Sequence, residues 1–245
     1  MKILVCVSVV PDTTTKITFK DNDTIFDKSG VQFIINPYDE LALTRAIEIA
    51  ETNSGNVNVI TVGEVDCDPV IRKALAMGAN EAFRVDAQPI NAFFVAQQIA
   101  HHAKNNSYDL ILTGRESIDY NGGMVQGLIA EILNYPIINV VTELEYKENT
   151  IEANRDIDGG KETVSSAVPC VVSAQKDLCE PRIPNMRGIM MARSKPLSVL
   201  EATGESNYTQ VIKYELPPSK TGVKLIDAEN AESLIDILHN EEKLF

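Results

Sequence analysis

Apolar segments alternate with amphipathic segments along roughly the first 135 residues, and this alternation limits the possible folds more than any other feature. Residues 2–10 are apolar and β-branched almost throughout, which is typical of a strand buried on both faces. The same patterns predict strands at 56–62, 81–85 and 108–114, and helices at 39–52, 68–78, 90–104 and 122–133. Strands and helices that alternate at this spacing predict an α/β fold with a mostly parallel sheet and helices on both faces.

The pattern changes after the last of these helices. Alternating stretches separated by turn signals at Glu148-Asn149 and Asp158-Gly159-Gly160 predict a β-hairpin extension. From Tyr208 onward the sequence predicts one more strand-like run and an acidic helix at 227–240. This tail is too small for its own core, so it must pack on the main body or on another chain. We expect an α/β domain over 1–200, which includes the hairpin and the segment 178–197, and a C-terminal arm over 201–245.

Composition excludes several classes of function. The net charge of −13 over 245 residues argues against nucleic-acid or anionic-membrane binding, because the field repels phosphates. The four cysteines form no CxxC pair and the three histidines lack metal-ligand spacing, so we expect free thiols and no metal site. The apolar run at the N-terminus predicts a first strand. It is too short for a signal peptide or a membrane span, so we expect a cytoplasmic protein. No motif pairs a nucleophile with a base, so we expect no catalytic residue.

Ligands of parallel sheets bind beyond the carboxyl ends of the strands, near the point where the strand order reverses. The candidate loops follow Cys6, Ile35, Val62 and Thr113. The loop 113–127 suits a phosphate best, because its glycines allow close backbone approach, a helix follows, and its arginine offers a charge-assisted hydrogen bond. Neither GxGxxG nor a P-loop is present, so a turn that needs glycine only for its conformation remains an alternative.

A basic, methionine-rich segment stands out in this acidic chain. Four cationic residues and no acidic ones lie between Pro181 and Pro196, together with three of the six methionines. Flexible thioether side chains suit a surface that fits several partners, and the cations steer acidic partners toward it. The segment is therefore predicted to be a docking surface. The alternative is a solvated loop that leads into a helix.

Four ordered blocks together resemble the beta subunits of electron-transfer flavoproteins. They are "INPYDE" (35–40), "IRKALAMGAN" (71–80), "GRESID" (114–119) and the long stretch 155–197 that begins "RDIDGGKETV". The resemblance implies an adenine-nucleotide-binding, Rossmann-like domain that holds a structural AMP. It also implies a heterodimer with an alpha subunit, which holds most of a redox-active FAD and is contacted by the C-terminal arm. The chain would serve as an electron-transfer carrier subunit without bond-making chemistry of its own.

The resemblance also implies which residues take part. Those implied to bind the cofactor are Cys6, Asn36, Pro37, Tyr38, Asp39, Gly63, Glu64, Gly114, Arg115, Ser117, Asp119, Asn121, Gly122, Gly123, Met124 and Val125. The segment after Glu180 is similar to a recognition loop that anchors acyl-CoA dehydrogenases, and its implied docking residues are Arg182, Met186, Arg187, Ile189, Met190 and Arg193. Electrons would leave for a quinone-linked oxidoreductase or another acceptor.

The sequence also allows alternative hypotheses about the ligand and the function. "PDTT" (11–14) resembles electron-bifurcating members of the family, which hold a second FAD where others hold AMP, whereas "INPYDE" favours AMP. A stand-alone adenine-nucleotide-binding protein would need neither the hairpin signature nor the basic segment. An adenylating or pyrophosphatase enzyme is disfavoured, because neither SGGxDS nor HxGH occurs in the sequence.

Overall fold

A computed structural model describes residues 1–204, 208–219 and 222–244. The strands are β1 (Lys2–Cys6), β2 (Val9–Pro11), β3 (Phe19–Lys20), β4 (Ile25–Phe26), β5 (Phe33–Ile35), β6 (Asn56–Val62), β7 (Glu81–Asp86), β8 (Leu110–Gly114), β9 (Ile137–Lys147), β10 (Thr150–Ile157), β11 (Gly160–Ala167), β12 (Cys170–Ala174) and β13 (Leu197–Glu201). The helices are α1 (Pro37–Thr52), α2 (Asp68–Met77), α3 (Ala92–Asn106), α4 (Val125–Leu133), α5 (Met186–Ala192) and α6 (Glu232–Asp236), with a π-helical turn at Ile237–Glu241.

The chain divides into two compact units. The larger comprises Met1–Thr18 and Asp27–Ile212, and the smaller comprises Phe19–Phe26 with Lys213–Phe245. In the smaller unit β3 pairs antiparallel with β4, and the rings of Phe19 and Tyr214 stack with centroids 4.9 Å apart.

A nine-stranded sheet in the order β11-β10-β9-β12-β8-β1-β6-β7-β13 forms the larger unit. The seven strands from β9 to β13 in this order run parallel, and β10 and β11 extend the sheet as an antiparallel hairpin. The chain builds the sheet outward from β1 through β6 and β7, then returns to β8 on the other side of β1. The strand order therefore reverses between β1 and β8, and the predicted α/β fold is confirmed.

Side chains of β1 show why both faces of the sheet carry helices. Ile3 and Val5 pack in one core cluster with α1 and α2, whereas Leu4 and Cys6 pack in a second cluster with α3 and α4. Because successive side chains of a strand point to opposite faces, an uninterrupted apolar strand requires cover on both sides.

Two predictions from the sequence were wrong. The first strand ends at Cys6 rather than residue 10, because Ser8 exchanges hydrogen bonds with the start of α1 and β2 then pairs with β5 in a separate sheet. In the tail, residues 208–212 contain no strand, and the helix expected at 227–240 is split into a 3-10 turn, α6 and the π-helical turn. A run such as Val211-Ile212 forms a strand only where a sheet edge pairs with it, and both side chains are exposed.

Candidate functional site

The carboxyl ends of β1, β6 and β8 meet at the edge where the strand order reverses. Registry places Val5 beside Leu112 and Cys6 beside Ile60, so the loops that follow these strands emerge side by side. The start of α1 joins them, because the backbone N–H of Asn36 donates to the carbonyl of Ser8. The structure therefore brings the four candidate loops together at one edge.

Asp39 links two of these loops. Its carboxylate is 3% exposed, and its two oxygens accept hydrogen bonds from the backbone N–H groups of Ser8 and Gly114, both at 2.7 Å. Burial raises the pKa of this carboxyl to about 7, while the two N–H donors act in the opposite direction. A Cβ on Gly114 would lie 2.4 Å from the Asp39 Oδ1, so the glycine is required by this close approach.

Asn36 holds a third segment. Its buried amide donates from Nδ2 to the carbonyl of Glu116 at 2.8 Å and accepts at Oδ1 from the N–H of Ile118 at 3.3 Å. Asn36 occupies the position before α1, yet its side chain does not cap that helix. The polar atoms of Asn36 and Asp39, which the family resemblance assigns to the ligand, are thus engaged with the backbone and shape the loops.

The loop after β8 ends at the start of α4. Ser117 and Gly122 bridge across it through two backbone hydrogen bonds, and the side chain of Gln126 donates to the carbonyl of Arg115 at 2.8 Å. Met124 precedes α4 without a side-chain cap, and the first-turn N–H groups of a helix have no partner within the helix. This arrangement suits an anion. Around it, Asp119, Asn121, Gly123 and Met124 are exposed, while Gly122 and Val125 are half-buried.

Arg115 and Tyr38 lie at the rim of the same edge. The guanidinium carbon of Arg115 is 5.9 Å from the centroid of the Tyr38 ring, and its Nη2 pairs with Glu116 at 3.0 Å. Both side chains are half-buried, and Pro37 beside them is exposed. A ring with a cation over its face offers one surface for a planar or phosphorylated group.

Arg84, which no sequence motif singled out, fixes the loop after β6. Arg84 is 4% exposed on β7, and its Nη1 donates to the carbonyl of Gly63 at 3.0 Å and to Asp86 at 2.5 Å. Its Nε lies 2.8 Å from the carboxylate of Asp68 at the start of α2. An arginine within the apolar strand "EAFRV" was the available signal, because a buried guanidinium requires acceptors.

The two remaining cofactor positions on this side differ in exposure. Glu64 is exposed, whereas Cys6 is buried and burial raises the pKa of its thiol far above the ordinary value. Gly63 is buried, and a Cβ there would lie 2.4 Å from the sulfur of Cys67. Cys6 is therefore a buried, neutral thiol in the core beside α3 and α4, and the Gly63 loop is held by packing and by Arg84.

A cleft of about 530 Å³ lies at the opposite, amino edge of the sheet, lined in part by Lys104, Tyr108, Asn134 and Pro169. None of the predicted site residues lines it. The C-termini of α3 and α4 point toward this edge, and the partial negative charge of a helix C-terminus disfavours phosphate. Electrostatics therefore favour the carboxyl edge as the anion site.

The basic segment forms α5 and packs on α2. A Cβ on Gly188 would lie 2.4 Å from the carbonyl oxygen of Ala76, so the two helices touch through backbone. Arg72 of α2 donates to the carbonyls of Ala192 and Lys195 at 2.8 and 2.7 Å. In return, the Lys195 ammonium donates to carbonyls at the end of α2.

This anchoring leaves an apolar surface on the outer side of α5. The exposed apolar side chains of the segment are Ile183, Met186, Ile189, Met190 and Met191, and Met186 is 73% exposed. Arg187 and Arg193 are also exposed. Arg182, by contrast, pairs with Glu51 of α1 at 2.8 Å, and this guanidinium lowers the pKa of Glu51. Arg182 thus holds the segment against the domain.

The described part of the chain shows neither a membrane-spanning helix nor a metal-binding cluster. No helix there is long and apolar enough to cross a membrane. Nor do three or more His, Cys, Asp or Glu side chains gather there in a metal-binding arrangement.

Comparison with known proteins identifies the family. The sequence profile of the electron transfer flavoprotein domain matches residues 23–205. The chain is 34% identical to the electron transfer flavoprotein subunit beta of Bacillus subtilis, over the whole of both chains. It is 35% identical to the corresponding subunit of Syntrophomonas wolfei, over 93% of this chain and 90% of that one. It is also 33% identical to the caffeyl-CoA reductase-Etf complex subunit CarD of Acetobacterium woodii, over 92% of each chain. The chain therefore belongs to the family of electron-transfer flavoprotein beta subunits.

Proposed function

We propose that this chain binds AMP at the carboxyl edge of its sheet and docks dehydrogenases of the acyl-CoA type through α5. Family membership makes it a subunit of a flavin-associated electron carrier that pairs with an alpha subunit. In that heterodimer this chain supplies a nucleotide-stabilised platform, while the alpha subunit holds most of the FAD. The chain itself makes and breaks no bonds.

The convergence of four loops at the switch point carries the proposal. Asp39 and Asn36 bind the loops after β1 and β8 to the start of α1, and the uncapped start of α4 offers backbone N–H groups to an anion. A nucleoside monophosphate such as AMP has a phosphate that would bind at the start of α4 and a planar base that would lie on the surface of Tyr38 and Arg115. The bound nucleotide would stabilise the native loops, because a ligand of the native state alone shifts the folding equilibrium.

Exposed methionines on a rigid base support the docking half of the proposal. Met186 and Met190 project from a helix that Arg72, Gly188 and Lys195 hold against α2. Because α5 is already held in place, this segment loses little conformational freedom when a partner packs on it. The exposed arginines accelerate the approach of an acidic partner. A docked dehydrogenase would reduce the flavin of the alpha subunit, and the electrons would then pass to a quinone-linked oxidoreductase or another acceptor.

Analysis of the bound nucleotides tests the proposal. The chain would be purified with its alpha subunit, the complex denatured, and the released nucleotides identified by chromatography and absorbance. We expect one FAD and one AMP per heterodimer. FAD alone would contradict the AMP site and leave the docking surface to be tested separately.

An electron-bifurcating carrier with a second FAD in the same edge is the second candidate. Similarity to a subunit of a caffeyl-CoA reductase complex favours it, since that relative is named for a complex that reduces a CoA ester. Two FAD and no AMP per heterodimer in the same measurement would establish this candidate over the first.

A further inference from the structure

The hydroxyl of Thr113 is buried without a hydrogen-bond partner. Thr113 is the fourth residue of β8 and is 4% exposed, and among the described residues no atom forms a hydrogen bond with its Oγ1. Buried polar side-chain atoms in folded proteins almost always have partners, and an unpaired one destabilises the native state. An unpaired hydroxyl beside a proposed binding site is a candidate to form its missing hydrogen bond with the ligand.

Alternation along β8 places Thr113 on the face covered by α4. Ile111, two residues earlier, packs in the same cluster as Ile129 of α4, whereas Leu112 packs on the opposite face with α1. In the neighbouring strand Ser173 is paired with Thr113 in register. The Ser173 hydroxyl accepts from the N–H of Val140 at 3.0 Å, so it has the partner that Thr113 lacks.

The start of α4 lies at the same edge as this hydroxyl. Gln126 in the first turn of α4 donates to the carbonyl of Arg115, two residues after Thr113. α4 has nine residues, and no side chain caps its N-terminus. The Thr113 hydroxyl, buried without a partner among the described residues, and the first-turn N–H groups of α4, which no side chain caps, thus lie at the same edge of the sheet.

We propose that the Thr113 hydroxyl donates a hydrogen bond to the phosphate of the bound nucleotide, beside the N–H groups of α4. The inference rests on the proposed nucleotide site and adds a binding residue to it. Because Oγ1 is buried, the proposal includes a local rearrangement that opens this hydroxyl to the phosphate.

Titration of AMP into the AMP-depleted heterodimer tests the assignment with two variants. Thr113→Val removes the hydroxyl at nearly constant volume, and Thr113→Ser keeps it. We expect Thr113→Val to bind AMP about ten-fold more weakly, and Thr113→Ser to bind within about three-fold of the unmodified protein. In the absence of AMP, Thr113→Val should melt at a temperature at least as high as the unmodified protein, because the unpaired hydroxyl is gone.

The opposite signs of the two readouts separate a ligand contact from a purely structural role. Unchanged AMP affinity in Thr113→Val would overturn the assignment and leave the nucleotide site intact. A lower melting temperature of the AMP-free Thr113→Val heterodimer would also overturn it, because the hydroxyl would then stabilise the fold itself. If Thr113→Val does not assemble, Thr113→Ala replaces it in the same comparison. Failure of the unmodified heterodimer to take up AMP would refute the nucleotide site, and the inference with it.

Discussion

The carboxylate of Asp39 accepts a 2.7 Å hydrogen bond from the backbone N–H of Gly114, 75 residues further along the chain. The second oxygen of the same carboxylate accepts from Ser8. One buried side chain thus holds together the ends of β1 and β8, between which the strand order reverses. The chain's own hydrogen bonds therefore hold this edge of the sheet together.

Replacement of Asp39 by Asn should therefore destabilise the chain by about 2–3 kcal/mol, because the amide turns an N–H toward one of two backbone N–H groups. Urea unfolding followed by circular dichroism measures this difference. Glu40→Gln is the matched control, since Glu40 pairs with Lys73 at the surface and such pairs contribute less than about 1 kcal/mol. Equal decreases in the free energy of unfolding of the two variants would contradict the role of Asp39 in joining the two loops.

Gly114→Ala should also be destabilising, by roughly 1–3 kcal/mol, because its Cβ would lie 2.4 Å from Asp39 Oδ1 and 2.7 Å from Tyr38 Cβ. Gly127→Ala in α4 is the control, since an added Cβ there meets nothing within 4 Å and alanine favours helix by about 1 kcal/mol. Thermal unfolding of the two variants should shift in opposite directions. A tolerated Gly114→Ala would show that the close approach is not required.

His102 should make the chain sensitive to mild acid. Burial, with smaller effects from the charges of Lys2 and His101, lowers the pKa of this imidazole from 6.5 to about 4. As the pH falls from about 6.5 to about 4, His102 is therefore protonated in the unfolded chain but stays neutral in the native state. The contribution of neutral His102 to the free energy of unfolding is fully present above pH 6.5. It decreases by on the order of 3 kcal/mol as the pH falls to about 4.

Urea unfolding at several pH values between 7 and 4 checks this expectation. His102→Gln should remove much of the acid sensitivity, whereas His101→Gln, which removes only the smallest contribution to the shift, should change it far less. An identical pH dependence in the His102 variant and the unmodified chain would contradict the assignment to this imidazole.

Met186→Glu should impair docking without affecting flavin content. A charge on a surface that a partner desolvates costs several-fold in affinity, so we expect the dehydrogenase concentration for half-maximal reduction to rise about ten-fold. Stopped-flow reduction of the heterodimer flavin measures it, with absorbance giving the flavin content. Ile132→Glu, a partly exposed apolar position on α4, is the control. Unaltered kinetics in Met186→Glu would remove this residue from the docking surface.

Local sequence determined most helices and strands of the α/β core and their order. The strand predicted at 56–62 is observed at Asn56–Val62, and the helix predicted at 39–52 is observed at Pro37–Thr52. Both are long periodic runs bounded by turn residues, so their patterns alone select one structure. The predicted hairpin turns are observed, with positive φ angles at Glu148, Asn149 and Gly159, and asparagine and glycine tolerate such angles best.

Only the tertiary structure decided what the site residues do. Asn36 and Asp39 look like helix-start or ligand residues in sequence, but partners about 80 positions away make them loop clamps. Arg84 stands out in the sequence only as a charge within an apolar strand, and its acceptors are visible only in the fold. Thr113 shows no local signal of a role, since an unpaired hydroxyl is defined by its missing partner. A sequence pattern reports the neighbours of a residue along the chain, whereas burial and hydrogen bonding depend on neighbours that only the folded sheet brings together.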